Sequence, residues 1–206
     1  MLSRAHLRIG YISFGQIIRD LMKSDPEFAA KYSGVNKGKL LDDTEAIRLF
    51  EKRLSELQAE GHWDIIFVDG FGRSPDQIHY LGEQGMLRTK DCVFMIDADI
   101  RTCNKRWAKR ASEGSRADDA AIQTFYDRWH LHNDSVPHLR TAFATYDASV
   151  VDINGGKQCK HDISDATGEL FVAEHTFTQM FSHVMLIVWN IATEKAEAKS
   201  ESAEAA

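Results

Sequence analysis

The residues best suited to chemistry lie in one segment, residues 64–77, which reads D-I-I-F-V-D-G-F-G-R-S-P-D-Q. An apolar run ends in the carboxylate of Asp69, and a turn with two glycines then leads to Arg73 and Gln77. Glycines allow close backbone approach, a guanidinium can grip a phosphate with two hydrogen bonds, and a side-chain amide offers a donor and an acceptor. These groups predict a nucleotide site, although the segment alone also fits a β-turn whose arginine pairs with a surface acid.

Strands and helices are predicted to position this segment. Apolar runs predict buried parallel strands at residues 65–68, 92–96 and 149–153, with a weaker strand at residues 9–13. Helical patterns separate the strands, and this alternation favours a parallel sheet with helices on both faces. Ligands of such sheets bind beyond the carboxyl ends of the strands, which here carry Asp69-Gly70 and Asp97-Ala98-Asp99.

Apolar spacing defines two of the helices. Residues 44–60 are predicted to form a helix capped by Asp43 or Thr44. An apolar stripe between Phe177 and Ile191 predicts a C-terminal packing helix, with a strand at residues 184–189 as the alternative. Residues 192–206 are rich in Ala, Glu, Lys and Ser, which predicts a disordered polar tail.

The composition excludes several classes of protein. A net charge of −6, from 25 basic and 31 acidic residues, provides no global basic field for a nucleic acid. The three cysteines form no C-x-x-C pair, which argues against a disulfide framework and a structural zinc site. The first residues lack the apolar core of a signal peptide, and no apolar run is long enough to span a bilayer. We therefore expect a cytoplasmic monomer with neither nucleic acid nor membrane as a partner.

The segment around Arg73 is similar to the D-G-F-P-R-T-x-x-Q motif of adenylate kinases, with Gly72 in place of proline and Ser74 in place of threonine. Other motifs of this family occur in the family's order. They are residues 12–19, which resemble I-S-T-G-D-x-L-R; 38–43, which resemble G-x-L-V-P-D; 97–110, with the family's arginine spacing; 116–119, which resemble R-x-D-D; and 153–157, which resemble the loop beside the ATP base.

The resemblance implies an AMP site. Arg19 and Arg73 would hold the AMP phosphate, and Gln77 would read the edge of the adenine. The full set of matching positions is Phe14, Gly15, Arg19, Lys39, Leu40, Leu41, Gly70, Phe71, Gly72, Arg73 and Gln77.

The resemblance also implies a site for ATP and for the phosphoryl group in transfer. Such a reaction needs positive charge around developing oxyanions, which converging arginines supply. The positions implied are Arg106, Arg110, Gly155 and Lys157 for ATP, and Arg110, Arg116 and Arg128 for catalysis. Magnesium would arrive with ATP, with Asp69 and Asp97 as outer-shell carboxylates. No metal site formed by the protein alone is expected.

Some positions depart from the family pattern. Phe14 stands where the family has threonine or another small residue, so the selectivity for AMP is open. Gly72 replaces a rigid proline, so we expect the turn before Arg73 to be less preorganised. A gapless count places Asp127 at a further lid arginine position, whereas the apolar pattern of the helix places Arg128 there, and we favour Arg128.

The family's phosphate-binding loop, G-x-x-x-x-G-K-[ST], does not occur before Ile12. Residues 2–8 resemble the end of the helix that follows that loop. Three explanations are open: a chain clipped at its N-terminus, a paralogue that binds AMP without transferring phosphate, or a structural module in which residues 184–189 replace the family's central strand. For the residues present, we expect negligible formation of ADP.

The predicted fold is α/β, a P-loop kinase-like parallel sheet flanked by helices, with its first, central strand missing. We expect one adenylate kinase-like domain over residues 1–191, with a monophosphate-binding insert at about 14–42 and a short lid at about 107–120. The implied function is reversible phosphoryl transfer from ATP to AMP in nucleotide biosynthesis, so ATP, AMP and ADP are the expected ligands. The alternative is a catalytically dead AMP-binding protein or a structural or regulatory paralogue.

Overall fold

A computed structural model of the chain describes residues 8–37, 39–88, 91–114, 119, 121–146 and 148–155. The elements in chain order are β1 (Ile9–Ser13), α1 (Phe14–Ser24), α2 (Pro26–Lys31), a 3-10 helix (Ser33–Lys37), α3 (Asp43–Ala59), β2 (Ile65–Asp69), α4 (Pro75–Glu83), β3 (Cys92–Asp97), α5 (Ile100–Ser112), α6 (Ile122–Ala144) and β4 (Ser149–Asn154). All four predicted strands are confirmed. The predicted C-terminal helix and polar tail lie outside the described residues.

The chain divides into two compact units. One unit contains the described residues between 8 and 91 and between 100 and 148, and its strands β1 and β2 pair in parallel, with Ile9 opposite Ile65 and Ser13 opposite Asp69. The other unit contains residues 92–99 and the described residues from 149 to 155, and its strands β3 and β4 also pair in parallel. The fold is therefore α/β with parallel strands, as predicted.

The prediction that the strands are buried is wrong for β2 and β3. All residues of these strands are partly exposed or exposed, including Val68 at 42% and Ile96 at 48%. Burial is complete only at single positions of the other strands, such as Ile12 in β1 and Ile153 in β4. Within the described part of the chain each sheet is two strands wide, so every strand has an edge with fewer covering neighbours.

The core of the larger unit lies between β1 and the first three helices. Ile12, Phe14, Phe28, Leu49 and Phe50 are all buried in it. Helix α3 was predicted with the correct face but the wrong cap. The side chain of Asp42, not Asp43 or Thr44, accepts the amide of Glu45 at 3.0 Å and caps the helix.

Helix α4 packs closely against the C-terminal end of α6. A Cβ on Gly82 would lie 2.2 Å from the ring of Tyr146, so only glycine permits this approach. The Tyr146 hydroxyl lies 3.0 Å from Nδ1 of His79, which fixes the ring against α4. None of the helices in the described ranges is long and apolar enough to cross a bilayer.

Candidate functional site

The turn after β2 meets the start of α1. Gly70 and Gly72 have φ angles of +82° and +75°, a left-handed conformation that glycine adopts without steric cost. A Cβ on Gly70 would lie 3.6 Å from the backbone nitrogen of Gly15 and 3.7 Å from a terminal nitrogen of Arg73. Parallel pairing brings these two loops together, because Ser13 and Asp69 stand opposite each other at the strand ends.

Arg73 carries a charge that the surrounding protein disfavours. Its pKa is lowered, chiefly because burial removes water from the guanidinium. The carboxylate of Asp69 acts in the opposite direction and offsets only part of the effect, while the positive charge of Arg128 lowers the pKa further. The residue is nonetheless exposed by its solvent-accessible area, so its guanidinium is crowded by neighbouring atoms and still reachable from solvent. An anion bound there would stabilise the charged form.

Arg128 on α6 interacts electrostatically with Arg73, whereas Asp127 is hydrogen-bonded to its own helix. Arg128 lies near enough to Arg73 for the two charges to repel. Asp127 is exposed and accepts a hydrogen bond from Gln123, one turn earlier on the same helix, at 2.8 Å. The assignment of Arg128 rather than Asp127 to the lid arginine position, made from the apolar face of the helix, stays a prediction.

Arg19 reaches the same pair of loops from α1. One terminal nitrogen lies 3.2 Å from the position that a Cβ on Gly15 would take. Its Nε and other terminal nitrogen donate to Oε1 of Gln16 at 3.3 and 2.8 Å. Arg19 and Arg73 therefore flank the point where Gly15 and Gly70 meet, which is where the sequence predicts a phosphate.

Arg110 on α5 is held by an acid that sequence reasoning did not pair with it. Its Nε donates to Asp119 at 2.7 Å and a terminal nitrogen to the same carboxylate at 3.4 Å. Asp119 is 2% exposed. Arg106, one turn earlier on α5, is exposed. Arg116 lies outside the described residues, so its predicted place beside Arg110 remains a prediction.

Several residues predicted to contact the nucleotide base contribute to the core instead. Phe14 is 5% exposed, and its ring meets that of Phe71 edge-on at 5.3 Å. Phe71 in turn stacks on Phe50 at 4.2 Å. Leu41 is also buried, whereas its neighbours Lys39 and Leu40 are exposed. Of these predicted positions, Lys39 and Leu40 have side chains that a ligand can reach from solvent.

The side chain of Gln77 is buried and bonded within the protein. Its Oε1 accepts the backbone amides of Gly72 and Arg73, each at 3.0 Å, and its Nε2 donates to Asp43 at 2.7 Å. The prediction that this amide reads a base edge is untested by this geometry, but most of its hydrogen-bonding capacity is used. The sequence S-P-D-Q at residues 74–77 matches the capping-box pattern, a signal that could have indicated a glutamine turned back toward the preceding backbone. Ser74 Oγ accepts the amide of Gln77, but Gln77 reaches the amides of Gly72 and Arg73 rather than that of Ser74.

The smaller unit carries the remaining predicted position that the structure describes. The backbone amide of Gly155 donates to the carbonyl of Asp97 at 2.6 Å, which ties the ends of β3 and β4 together. Lys157 lies outside the described residues. Among the residues with described positions, no group of three or more His, Cys, Asp or Glu side chains could hold a metal ion.

Several curated proteins that are similar to this chain are named adenylate kinase, as is the family identified from the motifs. The chain is 35% identical over 115 residues to a protein named adenylate kinase from Phenylobacterium zucineum, covering 54% of this chain and 59% of that protein. It is 34% identical over 111 residues to an adenylate kinase from Caulobacter sp., covering 52% and 57%. It is 37% identical over 79 residues to adenylate kinase 1 from Nostoc sp., covering 38% and 41%.

These matches confirm the resemblance found in the motifs. The protein is adenylate kinase-like, and its parallel strands and helices are consistent with a P-loop kinase-like fold. The chain spans about half the length of the curated relatives it matches. No family model matches it.

Proposed function

We propose that this protein is a nucleoside monophosphate kinase of the adenylate kinase kind, which transfers a phosphoryl group between ATP and AMP. The observation that carries the proposal is the arginine cluster, defined as Arg19, Arg73 and Arg128. Arg19 and Arg73 flank the meeting point of Gly15 and Gly70, and the charge of Arg128 acts on Arg73. The names of the curated relatives direct the choice among phosphate-containing ligands toward AMP.

The charge balance at the cluster supports an anionic ligand. Arg73 is desolvated and repelled by Arg128, and Asp69 compensates this only in part. Two guanidinium groups within reach of one anion can each form charge-assisted hydrogen bonds with it. The phosphate of a nucleoside monophosphate carries close to two negative charges at neutral pH and matches such a pair.

The base and the phosphoryl-transfer positions are proposed from the motifs. Lys39 and Leu40 are exposed beside α3 and would flank the base, while Phe14 and Phe71 would act through the backbone because their rings are in the core. Arg106, Arg110, Arg116, Gly155 and Lys157 are the proposed ATP positions. Arg110 would have to exchange Asp119 for phosphate oxygens when ATP binds.

Magnesium is proposed to accompany ATP. Asp69 fits an outer-shell role because its carboxylate is exposed at the carboxyl end of β2, and carboxylate oxygens suit this hard cation. The bound ion would neutralise phosphate charge during transfer. The residues of this chain would orient the acceptor phosphate.

Calorimetry with AMP tests the acceptor site. We expect Arg73→Ala to weaken AMP binding by about 10- to 100-fold, since a hydrogen bond to a charged group contributes about 1.5–3 kcal/mol. Arg53→Ala is the matched control, because the ion pairs of Arg53 with described residues are surface pairs with Glu56 on α3 and Glu60 at its end. Equal AMP affinity for the wild type and Arg73→Ala would contradict the proposed phosphate contact.

The same experiment, with a coupled assay for ADP, separates the two candidate functions. Arg73-dependent AMP binding together with ADP formation supports the kinase. These 206 residues alone should form little ADP under either function, because they contain no G-x-x-x-x-G-K-[ST] loop. AMP binding without ADP formation by a chain that also carries such a loop before these residues would support the alternative, a paralogue that binds AMP for a structural or regulatory purpose.

A further inference from the structure

We propose that Gln77 is a positioning residue that fixes the turn bearing Arg73, and that Asp43 holds Gln77 in place. The inference rests on the proposed function for its effect on phosphate binding. Its structural part, the fixing of the turn, stands on hydrogen bonds within the larger unit.

Gln77 contacts the turn through the oxygen of its side-chain amide. Its Oε1 accepts the amides of two successive residues, Gly72 and Arg73, at 3.0 Å each. A carbonyl oxygen has two lone pairs, so its acceptor capacity is used. With the side chain 4% exposed, water cannot replace either bond. The backbone immediately before the Arg73 side chain is thus fixed by one buried oxygen.

Asp43 in turn holds the side chain of Gln77 in place. Oδ1 of Asp43 accepts Nε2 of Gln77 and the hydroxyl of Ser74, both at 2.7 Å. The carboxylate requires the donor end of the amide, and the two backbone N–H groups require the acceptor end, so the amide has one orientation. Asp43 begins α3 and Ser74 caps α4, so the network joins the starts of two helices to the turn.

The hydrogen bonds from the turn to Gln77 depend on glycine at position 72. The adenylate kinase motif has proline here, which restricts φ to about −65° and has no N–H. Gly72 has a φ of +75° and donates its N–H to Gln77. The turn therefore has a different conformation from one built on proline, and hydrogen bonds to Gln77 supply the rigidity that the pyrrolidine ring would give.

Few hydrogen-bonding groups of the Gln77 side chain remain for a ligand. Gln77 retains one N–H of its amide and no acceptor, so it could donate to a base but could not accept from the amino group of adenine. Positioning Arg73 is thus the role that its contacts support. Substituting a residue with this role should weaken binding of the ligand's phosphate more than binding of its base.

The test compares Gln77→Met with the wild type, because methionine has a similar length and lacks the acceptor. We expect the amides of Gly72 and Arg73 to exchange with solvent faster, AMP affinity to fall about tenfold, and adenosine affinity to stay unchanged. Gln84→Met, at the exposed C-terminal end of α4, is the control and should change none of these. Unchanged amide exchange, or equal losses for AMP and adenosine, would overturn the proposal.

A double-mutant cycle with Arg73→Ala makes the coupling explicit. If Gln77 acts through Arg73, its effect on AMP affinity disappears in the Arg73→Ala background, whereas direct base contact gives additive losses. Should Gln77→Met fail to fold, Asp43→Ala replaces it, and Asp43→Asn, which keeps an acceptor, should restore the wild-type exchange rates and affinity. A wild type that binds no AMP would refute the proposed function, while amide exchange would still decide whether Gln77 fixes the turn.

Discussion

Gly72 shows how one substitution in a family motif can change the conformation and hydrogen bonding of a turn. The loss of proline predicts a looser turn, yet the structure shows a left-handed glycine with its amide bonded to a buried oxygen. The loss of ring rigidity is offset by a hydrogen bond that proline could not make. The expectation of a less preorganised turn stays a prediction, which the amide exchange of Gly72 and Arg73 would test.

Restoring the family's proline should therefore harm the site. Gly72→Pro removes one donor to Gln77 and demands a φ opposite in sign to the observed +75°. We expect a stability loss of more than about 1 kcal/mol and weaker AMP binding, measured by chemical denaturation and calorimetry. The control is Gly72→Asn, because asparagine keeps the N–H and tolerates a left-handed φ better than other residues. Tighter AMP binding by Gly72→Pro would contradict the observed turn.

The residues of the site differ in how far the sequence could predict them. Arg19 and Arg73 lie together because fixed spacings after two paired strands place them there. The orientation of Phe14 could not be predicted, since it depends on Phe71 and Phe50, which are distant in sequence. Asp43 was predicted as a helix cap, but its contact with Gln77 spans 34 positions and follows only from the packing of α3 on α4.

At the scale of elements, the contact between α4 and α6 depends on one missing side chain. Gly82→Ala would place a methyl group 2.2 Å from the ring of Tyr146, and His79 holds that ring in place. Alanine gains up to about 1 kcal/mol in helix propensity, but forced overpacking costs about 1–3 kcal/mol. We therefore expect a net loss of stability in urea denaturation.

The matched test for Gly82 is its combination with Tyr146→Ala. Removing the ring removes the clash, so Gly82→Ala should be neutral or stabilising in that background. Equal destabilisation in both backgrounds would mean that the helices do not approach as closely as described.

Strand positions were easier to predict than strand burial. Apolar runs located β1 to β4 to within one residue, because runs of four or five residues rich in β-branched or aromatic side chains are too short for a typical helix. How much of each run is covered depends on neighbours that the run does not specify, and Val68 and Ile96 are exposed despite their type. The cap of α3 was misplaced by one residue because Asp42 and Asp43 are equally good caps in sequence.

For the whole chain, acceptor binding and phosphoryl transfer should be separable. The 206 residues contain no G-x-x-x-x-G-K-[ST] segment, the loop that cradles the phosphates of ATP in P-loop proteins. We expect this chain to bind AMP but to form ADP at less than about 1 per second in a coupled assay. Faster turnover that Arg73→Ala abolishes would show that another segment holds the ATP phosphates.

The parallel register of β1 and β2 makes the site intolerant of changes in chain length. Ser13 stands opposite Asp69, and the two loops that follow carry Gly15 and Gly70. One residue inserted into or deleted from Ile9–Ser13 would shift one loop by about 3.3 Å and turn the buried face of the strand outward. Ile12 would leave the core in the same event that separates Arg19 from Arg73. The five residues of β1 therefore contribute both to the core and to the spacing of the arginine cluster. Related sequences should differ in the side chains of this strand but keep the same number of residues in it.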